Sequence, residues 1–367
     1  MPRRIALFLP ELRAGGAQRV MLTLAKAFQE RKISVDIVVA RKEGAFLVDV
    51  PPGANLVDLR AGFMGIGRIG LAISVIPGLI RYLRTSRPDA LLSTLTGTNL
   101  VAVLARWAAR VPLRLVLREA ATLSNLPNPF YIFLMSRLYG YADAVVSLTP
   151  YMRTELLKVL GLPEASIVNI PNPVDIRLIL DRAAEPCPHD WLKSGRPPVL
   201  LAVGRLAEQK DLQTLIRAFA ILGQHSNARL VILGDGPQRE ELEQLVIALQ
   251  LQDRILMPGY DSNPYCWMVR ARGFVLASRW EGQPNALIEA ICLGLPVVAT
   301  DYDLSIRELV GSAGEIVSVG DYKTMAAALL RIMEMPVSAD RSDGTRSRLS
   351  VEQYEMLLFP KKETPDE

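Results

Sequence analysis

Two glutamates could bind hydroxyl groups of a ligand. Glu281 follows an apolar run that predicts a buried strand, and Glu289 lies in the helix predicted to come next. Asn285 shares a helical face with Glu289 because the two are four residues apart. A helix start also leaves backbone N–H groups free for a phosphate. Carboxylates beside a phosphate site suit the hydroxyls of a sugar or ribose, although isolated glutamates would more often be surface acids.

Two cations follow the first predicted strand of the second half. Arg205 and Lys210 lie five residues apart on the loop after residues 199–203. Both could hold anionic oxygens, and arginine can do so through two parallel bonds. Gly204 would let the backbone come close to a ligand. The loop therefore predicts an anion-binding segment.

Further glycine-rich turns follow other predicted strands. Gly15 and Gly16 come after the first strand and open a helix, and residues 234–237 end a strand in the second half. Both turns would lie at the edge of a sheet where backbone donors can approach an anion.

The elements that must position these residues alternate between strands and helices. This alternation is typical of parallel α/β layers. Strands are predicted at 5–9, 35–39, 55–59, 90–93, 113–117 and 144–148, then at 199–203, 229–233, 254–257, 273–277, 296–299 and 315–317. The proline-rich stretch 171–198 reads as a linker. We expect two doubly wound, Rossmann-like domains that face each other across a cleft at the carboxyl ends of their strands.

Composition narrows the class of protein. The 367 residues are 50% hydrophobic and 22% charged, which suits two folded domains and excludes a disordered chain. Three cysteines and two histidines lack zinc spacing and cannot form a disulfide framework. The apolar run at the N-terminus is too short for a secretory signal.

The positive charge is concentrated in the first half. Residues 1–180 hold 22 Lys and Arg against 12 Asp and Glu, and residues 59–118 hold nine arginines and one acid, Asp89. Such a patch suits phosphates, nucleic acid or anionic lipid, or is a solvated surface. The apolar segment 63–82 inside it is interrupted by Pro77 and glycines. It predicts either a helix lying in a membrane interface or a core helix.

In combination, these motifs resemble the retaining nucleotide-sugar glycosyltransferases of family 4, which have the GT-B fold. The resemblance covers nearly the whole chain and rests on motifs in a fixed order. They are Gly15-Gly16, residues 172–175, Gly204-Arg205 with Lys210, residues 234–236, and the two glutamates with seven residues between them. It implies an acceptor-side domain over 1–178, completed by a helix at 349–360, and a nucleotide-sugar domain over 179–348.

The resemblance also implies roles for individual residues. Arg205 and Lys210 would hold the donor pyrophosphate, Glu281 the transferred sugar, and Glu289 the ribose hydroxyls. Backbone donors near the sugar and phosphates would come from Gly282, Gln283, Pro284 and Asn285. Gly15 and Gly16 would let the first domain close over the donor.

One position departs from the family pattern. Many relatives carry a histidine after the strand at 113–117, where this chain has Arg118 and Glu119. We expect Arg118 to face the cleft and Glu119 to act as a base toward the acceptor, with a salt-bridged surface pair as the alternative. Retention would then proceed by same-face attack assisted by the leaving phosphate.

Two other motifs are weaker. Residues 65–70 match a dinucleotide fingerprint with Asp89 as its acid, but Asp89 begins a predicted strand where that acid should end one. Asp301 and Asp303 resemble a metal-binding acid pair, although Arg205 and Lys210 already supply positive charge. An NAD-dependent oxidoreductase and a non-enzymatic membrane- or nucleic-acid-binding protein are therefore the alternatives.

The favoured function is sugar transfer from a nucleoside diphosphate, preferably uridine diphosphate, to a hydroxyl of a lipid-linked glycan in surface polysaccharide synthesis. We expect no metal and no cofactor beyond the nucleotide sugar. The expected partners are the glycan acceptor and an anionic membrane surface, without nucleic acid. The expected location is the cytoplasmic face of the cell membrane.

Overall fold

The computed structural model describes residues 3–13, 15–60, 67–125, 128–186, 189–338 and 345–360. The chain divides into two compact units, Met1–Val174 with Thr345–Glu367 and Asp175–Gly344. The predicted boundaries were 178/179 and 348/349. Each unit is described by itself below.

Unit 1 is built on a parallel sheet. Its described strands are β1 (Arg4–Leu9), β2 (Ser34–Val39), β3 (Asn55–Asp58), β4 (Ala90–Thr94), β5 (Arg114–Arg118), β6 (Ala144–Ser147) and β7 (Ile167–Asn169). Their order is β3-β2-β1-β4-β5-β6-β7. The order reverses between β1 and β4, and at such a switch point the carboxyl ends of the strands leave a crevice.

Helices join these strands. They are α1 (Gly16–Glu30), α2 (Gly67–Ser86), α3 (Thr96–Ala109), α4 (Pro129–Leu138) and α5 (Pro150–Leu160). Both ends of α5 are capped: the Thr149 side chain accepts from the Met152 N–H at 3.2 Å, and Gly161 ends the helix at φ +65°. A capping hydroxyl before a proline fixes where such a helix begins.

The described part of α2 is a core helix. Val75, Leu79 and Tyr82 are almost fully buried in the core that α2 shares with α3, α4 and α5. For residues 74–82, the structure therefore supports the core helix and not the helix in a membrane interface. Residues 63–66 of the predicted apolar segment lie outside the described ranges. No described helix has both the length and the apolar character needed to cross a membrane.

Unit 2 has its own parallel sheet. Its described strands are β8 (Val199–Val203), β9 (Arg229–Leu233), β10 (Ile255–Gly259), β11 (Gly273–Leu276), β12 (Val297–Thr300) and β13 (Gly314–Val317), in the order β10-β9-β8-β11-β12-β13. Its helices are α6 (Ile176–Ala183), α7 (Leu212–Leu222), α8 (Arg239–Ala248), α9 (Tyr265–Met268), α10 (Asn285–Cys292), α11 (Leu304–Val310) and α12 (Tyr322–Glu334). The predicted linker thus contains a helix, α6, because Asp175 caps it by accepting from the Leu178 N–H at 3.0 Å.

A last helix, α13 (Thr345–Leu358), returns to unit 1. Val351, Tyr354 and Leu358 pack with α1 in the core on the sheet face opposite α2–α5. Arg31, directly after α1, forms an ion pair with Glu355 at 3.1 Å. Both faces of the unit 1 sheet are therefore covered, as parallel sheets require.

Candidate active site

The predicted donor residues of unit 2 gather where its strand order reverses. The central neighbours are β8 and β11, and the chain leaves them toward opposite edges of the sheet. Parallel α/β sheets bind ligands in the crevice at this point.

Two loops are joined across this crevice. The loop after β8 contains Gln209 and the loop after β11 contains Arg279 and Trp280. The Arg279 N–H donates to the Gln209 carbonyl at 2.8 Å, and Gln209 Nε2 donates to the Trp280 carbonyl at 2.8 Å. These bonds fix both loops before any ligand arrives.

Glu281 is the centre of this loop pair. It is 7% exposed, and its carboxylate accepts from Lys210 Nζ, from Ser278 Oγ at 2.7 Å and from Gln209 Nε2 at 2.9 Å. A carboxylate offers about four acceptor positions. Three donors from the described residues leave one position for a ligand hydroxyl.

Two glycines in the same loops lie close to neighbouring groups, and at Gly234 a side chain would be strained. A side chain at Gly204 would place its Cβ 2.9 Å from Lys210 Cε, so Gly204 makes room for the lysine beside Glu281. Gly234 has φ +139°, and a Cβ there would lie 1.9 Å from the Gly204 carbonyl oxygen. The expected approach of the Gly204 backbone to a ligand stays a prediction.

Arg205 stands apart from this cluster. Its side chain is exposed and forms no hydrogen bond or ion pair with a described residue. Its guanidinium can therefore meet an anion without first breaking a bond to the described protein. The structure brings Lys210 and Glu281 together but does not place Arg205 against them.

The helix α10 follows Glu281. It begins at Asn285, and Pro284 is the capping residue before it. Gly282 and Gln283 are half-buried in the preceding loop. On α10, Glu289 is 8% exposed and accepts from Tyr265 Oη at 3.2 Å.

Three polar residues near Glu281 were not predicted. Gln209 and Ser278 bind its carboxylate, as described above. Tyr302 follows β12, and its hydroxyl has no hydrogen-bond partner among the described residues. Burial raises the pKa of Tyr302 above its usual value, and the charges of Glu281 and Asp303 raise it further. Gln209, Ser278 and Tyr302 all follow predicted strands, and this position was the signal in the sequence that could have identified them.

In unit 1, Gly15 and Gly16 lie at the amino end of α1, after β1. Gly15 has an extended backbone, φ −175°, which any residue can adopt. A Cβ there would meet only the end of the Gln18 side chain. Their expected role in donor binding stays a prediction.

Arg118 is buried within unit 1, and its expected position facing the cleft stays a prediction. It is 1% exposed at the end of β5. Its guanidinium donates to Thr94 Oγ1 at 2.7 Å and to Asn172 Oδ1. It therefore links the ends of β4 and β5 to the segment after β7.

Glu119 is also buried, at 1% exposure, and forms no surface salt bridge. Its carboxylate accepts from Tyr139 Oη at 2.7 Å and from Thr96 Oγ1 at 3.0 Å, with further bonds from two backbone N–H groups. Burial raises its pKa, and these hydrogen bonds oppose the shift. The role of Glu119 as an acceptor-side base stays a prediction.

The position of Asp89 does not support the dinucleotide fingerprint. Asp89 lies just before the amino end of β4, where its carboxylate accepts from the Arg4 backbone N–H at 2.7 Å. This edge is opposite to the one at which such folds bind nucleotides. The side chains of residues 65–70 lie outside the described part of the structure.

Family models match both halves of the chain. The model for glycosyl transferases group 1 matches residues 197–335, and the glycosyl transferase 4-like domain matches residues 15–173. A Campylobacter jejuni N-acetylgalactosaminyltransferase that acts on a diphospho-undecaprenol substrate is 28% identical over 90% of each chain. The Rhizobium meliloti lipopolysaccharide core glycosyltransferase LpsE is 26% identical over 94% of this chain and 91% of its own.

Solved structures support the fold. Anabaena HepE in complex with UDP-glucose aligns with a TM-score of 0.73 at 18% identity over 97% of this chain and 95% of its own. The galactosyltransferase WaaB aligns with a TM-score of 0.68 at 17% identity, covering 97% and 99%. The matches over both halves, with two parallel α/β units and the resembling motifs, show that this chain is a GT-B glycosyltransferase of the glycosyl transferases group 1 family.

Proposed function

We propose that this glycosyltransferase transfers a sugar, with retention, from a nucleoside diphosphate to a hydroxyl of a lipid-linked glycan. The observation that carries the donor side is the cluster of Lys210, Gln209 and Ser278 around Glu281 at the switch point of unit 2. The open acceptor position on Glu281 suits a sugar hydroxyl.

The charge pattern supports a diphosphate leaving group. Arg205 is an exposed cation on the same loop as Lys210, and α10 begins four residues after Glu281. Cations and helix N–H groups fixed in advance stabilise a leaving phosphate in the transition state. Uridine diphosphate is the preferred carrier in this proposal, and HepE, a structural neighbour, was solved with UDP-glucose.

The proposed acceptor follows from the relatives and from charge. One relative acts on an undecaprenol-linked diphosphate, and others are named for lipopolysaccharide core or amylovoran synthesis. The basic first half of this chain suits an acceptor held at an anionic membrane surface. The proposed role is surface polysaccharide synthesis at the cytoplasmic face of the cell membrane, where nucleotide sugars are made.

Arg205→Ala tests the donor assignment, with Arg217→Ala as a matched loss of an exposed arginine from α7. The first change should lower kcat/KM about 10- to 100-fold, because one charge-assisted contact contributes about 1.5–3 kcal/mol. The free energy of unfolding should change by less than about 0.5 kcal/mol in both variants. Initial rates with UDP-hexose and UDP-N-acetylhexosamine donors, and urea unfolding, measure the two effects. Equal kcat/KM in both variants would remove Arg205 from the donor site.

A further inference from the structure

The outer surfaces of α3 and α4 carry large apolar side chains in contact with solvent. Trp107 is 75% exposed, Phe130 53% and Phe133 52%, and Tyr141 just beyond α4 is 67% exposed. Leu104, one turn before Trp107, is 38% exposed. Several large apolar groups this exposed on neighbouring elements are unusual on a surface that binds nothing.

These five side chains belong to one surface. Both helices cover the same sheet face, share one core and contact each other. Leu104 and Trp107 lie three residues apart on α3, and Phe130 and Phe133 do so on α4, so each pair shares an outer helical face. Arg106 of α3 donates to the Tyr141 carbonyl at 3.0 Å. We call this set the aromatic surface.

Exposed positive charge flanks the aromatic surface. Arg106 forms an ion pair with Asp143 at 2.9 Å, and Arg114 and Arg118 bond to other parts of unit 1, so the free charge comes from two further arginines. Arg137 is exposed and lies over the Phe133 ring, 5.4 Å from its centroid. Arg110, at the end of α3, is exposed and has no partner among the described residues.

We propose that the aromatic surface docks on the interface of an anionic lipid bilayer. Tryptophan and tyrosine rings are suited to the headgroup level, where one end is apolar and the other wet. The arginines complement anionic headgroups, whereas they would repel each other across a contact between two copies of this chain. This charge pattern favours lipid over self-association.

The inference rests on the proposed lipid-linked acceptor. It identifies the surface through which the enzyme would contact the bilayer. Residues 74–82 of α2 cannot be that surface, because their apolar side chains fill the core. An acceptor anchored in lipid is reached from the bilayer plane, so docking through α3 and α4 would raise its local concentration at the enzyme.

Cosedimentation with phosphatidylcholine vesicles, with and without phosphatidylglycerol, tests the docking. The double variant Arg110→Ser/Arg137→Ser should weaken binding to anionic vesicles about fivefold for each arginine removed. Arg177→Ser/Arg217→Ser removes two exposed arginines from unit 2 and should not weaken it. Trp107→Ser/Phe133→Ser should weaken binding about tenfold or more, including the part that high salt does not remove. Its control is Ile247→Ser/Val337→Ser, which removes two exposed apolar side chains from unit 2.

Two further measurements separate the possible results. Hydrolysis of the donor without acceptor should be unchanged in all four variants, because none of the substituted residues lies in the donor cluster. Vesicle binding that is equal in the surface variants and their controls would overturn the docking, even if sugar transfer is confirmed. A wild-type dimer that Trp107→Ser/Phe133→Ser converts to a monomer, without vesicle binding, would assign the surface to self-association instead.

Discussion

Asp301 and Asp303 already have partners within their own segment. Asp301 forms an ion pair with Arg307 at 2.5 Å, which holds the pKa of this carboxyl below its usual range. Asp303 accepts from the Ser305 N–H at 2.7 Å and caps α11. In unit 2 the positive charge beside the donor cluster comes from side chains, so we propose that transfer needs no metal ion.

Sugar transfer should therefore persist in excess EDTA. Asp301→Ala should change the free energy of unfolding by less than about 1 kcal/mol, because an exposed ion pair contributes little. Rates before and after chelation, with and without added magnesium or manganese, measure this. A strict requirement for an added divalent ion would restore the acid pair as a candidate ligand site.

Glu119 gives a prediction for the pH dependence of stability. Because its folded pKa is raised, the native state binds a proton more tightly than the unfolded chain, whose glutamate has a pKa of about 4.3. Glu119 therefore stabilises the fold less as the pH rises from the unfolded toward the folded pKa.

Glu119→Gln lacks this titration. The variant should lose less stability than the wild type between about pH 4 and neutrality, which urea unfolding at several pH values measures. Parallel pH curves of the unfolding free energy for the two proteins would contradict the raised pKa.

If Glu119 is also the base toward the acceptor, the same variant should slow transfer without weakening UDP binding.

At the scale of elements, α13 matters most for unit 1. Leu358 is 1% exposed and packs in the core beside α1. Leu358→Ala should lower the free energy of unfolding by about 2–5 kcal/mol, because it leaves a cavity. Met356→Ala, at a side chain 64% exposed on the same helix, is the control and should cost less than about 0.5 kcal/mol. Equal unfolding curves for the two variants would mean that α13 contributes no core.

Most strands could be predicted, because buried parallel strands read as apolar runs between helices. The strand β7 was missed, since three residues, Ile167–Asn169, are too few to show a pattern. The helix α6 was missed because prolines on both sides indicate a linker, although Asp175 before an amphipathic run was a usable capping signal.

Side-chain placement was less predictable than the elements. The pairing of Lys210 with Glu281 joins loops that are far apart in sequence, and only the sheet order brings them together. Arg118 was expected to face the cleft, and the neutral oxygens of two other segments that allow its burial were not predicted. Such long-range partners leave no local signal in the sequence.

At the scale of the whole molecule, each unit has its own sheet and its own core. The cluster of Lys210, Gln209 and Ser278 around Glu281 lies entirely in unit 2. A nucleotide that binds there at 100 times its Kd should stabilise the native state by about 2.7 kcal/mol. For a unit of this size, that corresponds to a rise of about 5–10 °C in its unfolding temperature.

Scanning calorimetry with and without UDP measures this shift. Leu358→Ala should lower the transition of unit 1, and UDP should raise that of unit 2. A variant with Lys210→Ala should lose most of the UDP-dependent rise. An equal rise in that variant would place nucleotide binding outside the cluster.

The return of α13 to unit 1 also has a consequence for protein synthesis. Residues 345–358 leave the ribosome after all of unit 2, so unit 1 emerges first but lacks one of its covering helices until translation has passed unit 2. Unit 2 can fold from a continuous stretch of nascent chain. The apolar groups of α1 and the sheet that α13 covers stay open during that interval, which makes the partly made chain a substrate for chaperones.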